Sequence, residues 1–83
     1  MQKTLFSRDS QIFLRLLREA RENARLTQAE LAGRLGTTQS FISKCERGER
    51  RLDIVELRAW CKALTVSFTA FALRFDKASD KQS

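Results

Sequence analysis

A chain of 83 residues with 42% apolar content fits one small folded domain and is too apolar for a disordered one. It has no proline, no tyrosine and three glycines, and its β-branched residues are too scattered to alternate along strands, which favours an all-α domain over a sheet. Sixteen Lys and Arg against ten Asp and Glu leave a net charge of +6, a balance suited to a polyanion such as nucleic acid or an anionic membrane.

No apolar run approaches the roughly 20 residues that span a bilayer, and residues 1–10 lack the apolar stretch of a secretory signal. Cys45 and Cys61 stand alone, without a histidine or a CxxC pair, so no zinc or redox motif is present. Two reduced core thiols in a cytoplasmic protein, with no cofactor or metal, is the expectation.

The chain divides into a short N-terminal arm (1–9), a helical domain (10–76) and a polar tail (77–83) expected to fray. At 100° per residue, the first helix, about 10–24, places Ile12, Phe13, Leu16, Leu17, Ala20 and Ala24 on one side. Gln11, Arg15, Arg18, Glu22 and Arg25 fall on the other, while Arg21 projects beside Leu17 among the apolar residues. The second helix, about 28–35, opens on a capping box of Thr27 with Glu30 and closes at Gly36, which suits a left-handed position. Leu31, Ala32 and Leu35 form its inner stripe, and Gly33 inside it costs about 1 kcal/mol relative to alanine.

Thr38 caps a third helix, about 39–47, that ends at Gly48. Asp53 with Glu56 forms a second capping box, opening a fourth helix, about 54–64, with Ile54, Leu57, Trp60, Cys61 and Leu64 inward. Ser67 caps the fifth helix, about 68–76, whose inner stripe is Phe68, Phe71 and Phe75.

The third helix is too short to form a core, and its two faces differ in kind. Phe41, Ile42, Cys45 and Glu46 occupy one arc of about 140°; Gln39, Ser40, Ser43, Lys44 and Arg47 occupy the other, which carries no acid. Glutamine bonds bidentately to adenine, lysine bonds to guanine and serine to several bases, and a slim polar helix fits a major groove about 12 Å wide. Alone, this face reads better as a solvated surface. Its setting is a capped helix, a glycine turn and a second short helix in a basic domain.

Residues 26–51, LTQAELAGRLGTTQSFISKCERGERR, resemble the helix-turn-helix of the lambda-type phage repressor and Cro family. The matching elements are Leu26-Thr27-Gln28, Glu30-Leu31-Ala32, Leu35-Gly36, Gln39, Ile42-Ser43 and Glu46-Arg47-Gly48, within a likeness running from about Phe13 to Phe71. The resemblance implies a five-helix bundle that binds double-stranded DNA as a homodimer, with the third helix in the major groove. It implies that Gln39, Ser40, Ser43 and Lys44 face base edges. Gln28, Thr38, Arg47, Arg50 and Arg51 would then meet phosphates, and Arg21 would pair with Glu46 beneath the site. Three departures stand out: Arg25 where the family often has glycine, Cys45 in place of a larger apolar residue, and no proline after Gly48.

Apolar residues off the inner stripes predict the dimer surface. Val55 lies off the stripe of the fourth helix, and Leu73 opposes Phe68, Phe71 and Phe75 on the fifth. The expected interface draws on Val55, Phe68, Leu73 and Phe75, with Leu73 or Phe75 at its centre. The alternative is a protein-interaction or antitoxin-like module of the same fold. An enzyme has little support, since the chain offers no histidine and no glycine-rich phosphate loop. A membrane-surface role is as weak, because residues 44–51 include two acids and few apolar anchors. No small-molecule ligand is evident.

Overall fold

A computed structural model describes residues 7–82, so residues 1–6 of the N-terminal arm lie outside the described residues. Five helices account for it: α1 (Arg8–Asn23), α2 (Gln28–Leu35), α3 (Gln39–Glu46), α4 (Ile54–Ala63) and α5 (Phe68–Gln82). Each begins where a short polar side chain accepts an otherwise unpaired backbone N–H. Ser7 accepts from Ser10 at 3.1 Å, Thr38 from Phe41 at 3.1 Å, and Ser67 from Ala70 at 3.1 Å. Both capping boxes are reciprocal: Thr27 with Glu30, and Asp53 with Glu56. The Glu30 carboxyl is held below its ordinary pKa chiefly by the Thr27 backbone N–H, then by the Thr27 hydroxyl.

Four helices end alike. One residue turns left-handed, and the next N–H reaches back to the last turn: Leu26 to Arg21, Thr37 to Ala32, Glu49 to Lys44 and Val66 to Cys61. Gly36 (φ 71°) and Gly48 (φ 80°) take that conformation without a Cβ penalty. Arg25 (φ 61°) and Thr65 (φ 60°) do not, and a side chain there costs roughly 1–2 kcal/mol. The exposed Arg25 side chain offsets little of that cost. Arg25→Gly is therefore expected to stabilise the fold by about 1 kcal/mol after glycine's entropy loss, as measured by denaturant melting.

Side chains from α1 to α4 meet in the centre, where Leu17, Leu31, Ile42, Cys45, Trp60 and Cys61 are fully buried. Burial raises the pKa of both thiols, Cys45 to about 11, so they stay protonated and unreactive near neutral pH. α5 closes one side: Phe71 and Phe75 each set an edge against Phe13, with ring centroids 6.1 Å apart.

Two expectations are corrected. Ile54 is not in the inner stripe of α4; at its first position it overhangs the core and is 69% exposed. The fifth helix does not stop at residue 76, because α5 continues to Gln82. Ala78 follows Phe71 and Phe75 at helical spacing and packs on the core, so the inner stripe runs one turn further.

Candidate nucleic-acid interface

α3 sits on the body by one stripe. Ile42 and Cys45 are buried and Phe41 is half-buried, whereas Gln39, Ser40 and Lys44 are exposed and Ser43 is half-buried. Packing thus turns the acid-free polar arc outward. α2 and α3 are held at their junction by the left-handed Gly36 and the Thr38 cap.

Beneath that face lies a buried ion pair. Arg21 Nε donates to Glu46 Oε2 at 2.7 Å and Nη2 to Oε1 at 3.1 Å, while Nη1 donates to the Leu26 carbonyl at 2.9 Å. The side chains are 11% and 4% exposed. This is the two-pronged geometry that a guanidinium favours. The hydrogen bond to Glu46 raises the Arg21 pKa above its ordinary value, against the opposing effect of desolvation.

The pair continues to the surface through amides. Gln28 Nε2 donates to Glu46 Oε1 at 3.0 Å, and Gln39 Nε2 donates to Gln28 Oε1 at 3.0 Å. Arg21, Glu46, Gln28 and Gln39 therefore form one chain from the core to the outer face of α3.

The arginines beyond α3 have carboxylate partners that sequence reading missed. Arg47 donates to Glu49 at 2.8 and 3.2 Å and also to the Ser43 hydroxyl. Arg50 donates to Glu56 at 2.9 and 3.1 Å, with its guanidinium 4.8 Å from the Phe41 ring centroid. Both arginine pKa values are raised by these bonds. Glu49 is lowered mainly by Arg47, and Glu56 mainly by Arg50. Arg47 and Glu49 are both more than half exposed, so their pair adds little stability. Arg51 is exposed. The visible hint was Glu56, which was already assigned to the α4 capping box and has a second oxygen for Arg50.

The residues expected at a dimer surface do not all lie together. Val55 (73% exposed) and Leu73 (53%) point outward, Phe68 is half-buried, and Phe75 is turned inward against Phe13. Ile54, Phe68, Ala72 and Phe75 instead share an apolar groove of about 330 Å³.

Residues 12–72 match the model of the helix-turn-helix domain family. The chain belongs to that family. This helix-turn-helix domain is also similar to a solved structure, an XRE-family like protein from Pseudomonas syringae pv. tomato. The two are 42% identical over 93% of this chain and 94% of that one, with a TM-score of 0.83. No curated protein matches it. The domain is accordingly of the XRE type, a family of DNA-binding regulators that is not normally enzymatic. Among the described residues, no helix is long and apolar enough to cross a membrane and no cluster of side chains could hold a metal ion.

Proposed function

We propose that the protein is a sequence-specific transcriptional regulator that binds as a homodimer and inserts α3 into the major groove. The observation that carries this reading is the outward face of α3. Gln39, Ser40, Ser43 and Lys44 stand there without an acid, and Gln39 is held in place by Gln28. A surface that merely needed solvation would have no reason to brace a glutamine from the core.

Gln39, Ser40, Ser43 and Lys44 read base edges. Thr38 and the second Nε2 hydrogen of Gln28 meet phosphate, together with Arg51. Arg47 and Arg50 also approach the backbone, where phosphate competes with Glu49 and Glu56 for them. Neutralising phosphates makes binding fall steeply with salt, which separates this function from a protein-interaction module of the same fold.

Selection of bound sites from random DNA gives the operator. On that site, Gln39→Ala and Lys44→Ala are each expected to weaken binding by about 1–3 kcal/mol, with the fold intact by circular dichroism. Wild-type affinity in both variants would remove α3 from the groove.

A further inference from the structure

A carboxylate accepts hydrogen bonds and donates none, whereas an amide has one accepting and one donating end. Glu46 therefore decides which end of the Gln28 amide faces it. It receives the NH2 at 3.0 Å, and the Gln28 carbonyl oxygen is turned outward. Only a donor satisfies that oxygen, and Gln39 presents its own NH2 at 3.0 Å. One N–H of Gln39 is thereby committed. One N–H and its carbonyl oxygen remain for the groove. Glu46 is itself fixed, because Arg21 holds both of its oxygens and the side chain is 4% exposed.

We infer that Glu46 is a positioning residue for base recognition: through Gln28 it sets the amide polarity of Gln39, so that the buried ion pair selects adenine over guanine at the base Gln39 meets. The inference rests on the reading of Gln39 as a groove residue. Adenine offers an acceptor at N7 and a donor at N6, which match the remaining N–H and oxygen of Gln39. Guanine offers two acceptors, N7 and O6, and needs two donors, one of which Gln39 has given to Gln28. A group that never touches DNA thus contributes to the choice of base.

The double variant Arg21→Met/Glu46→Gln and the single variant Gln28→Met test the relay. Arg21 Nη2 donates to the same Glu46 oxygen that Gln28 meets, so an amide NH2 can take that place only once the guanidinium is gone, and it then has an orientation that donates to the Gln28 oxygen. That reverses Gln28, directs its NH2 to the Gln39 oxygen, and frees both N–H groups of Gln39 for guanine. Gln28→Met removes both amide bonds and leaves the Arg21–Glu46 pair in place. The diagnostic base is the one whose preference disappears in Gln39→Ala. At that base, the adenine-to-guanine preference is expected to narrow by about tenfold in each variant, while the base met by Lys44 keeps its preference.

In the free protein, the Gln39 side-chain NH2 resonance is expected to move in both variants. An unchanged adenine-to-guanine ratio in either folded variant, or an unmoved Gln39 resonance in both, overturns the relay. Should the double variant not fold, Gln28→Met decides alone. A wild type that selects no common sequence overturns the groove reading and the inference together. Clear selection with unchanged ratios in the variants overturns the relay alone.

Discussion

Arg21→Met and Glu46→Ala are each expected to cost about 3–5 kcal/mol in denaturant melts, a third or more of the stability of a typical small domain. Either change leaves a charge in a site too closed to hydrate it: Glu46 is 4% exposed and Arg21 11%. Arg21→Met also leaves the Leu26 carbonyl without its guanidinium donor, at the turn that leads into α2. The double variant is expected to lose clearly less than the sum, because two apolar side chains leave no unpaired charge behind. Additive losses would reject the pair as an energetic unit and make each residue an independent packing element.

That pair also shows where sequence reasoning reaches its limit. Helical spacing placed Arg21 on the apolar side of α1, and a cation there needs a partner. The spacing could not say which of the acids supplies it, and Glu46 entered through the family resemblance. The next links, Gln28 to Glu46 and Gln39 to Gln28, join residues 18 and 11 apart in sequence, and no local rule brings them together. Caps were legible because the cap and the N–H it serves are three residues apart, within one turn. The left-handed turn at Gly36 was legible for the same local reason. Thr65 was not, since a β-branched residue is a poor choice for φ 60° and only the surrounding packing puts it there.

Burial at helix ends was the least readable feature. Ile54 has the right spacing for the inner stripe of α4, yet its first-turn position lies past the edge of the layer that α2 and α5 cover. Ala78 presents the opposite case. One alanine in a polar tail carries little hydropathy signal, but its register with Phe71 and Phe75 extends α5 by a turn.

The overhang of Ile54 bears on assembly. Val55 is 73% exposed beside it, and the adjoining groove between α4 and α5 is lined by Phe68, Ala72 and Phe75. Leu73 stands apart on the outer face of α5, at a helical position shared with Thr69, Asp76 and Asp80. Of the two centres considered for the dimer, neither Leu73 nor the inward-turned Phe75 offers as much free apolar surface as the start of α4. The homodimer is therefore expected to form around Ile54, Val55 and the rim of that groove.

Val55→Glu separates assembly from folding. A carboxylate in the first turn of α4 interacts favourably with the helix dipole, so the monomer keeps its stability. A second copy cannot bury that charge. The variant is expected to sediment as a monomer and to lose roughly 10²–10⁴-fold in operator affinity, the gain that joining two half-site readers provides. Leu73→Glu is expected to leave assembly intact; dimer loss in that variant alone would move the interface to the outer face of α5. A wild type that sediments as a monomer at high micromolar concentration, and stays so on its selected site, would remove the dimer altogether.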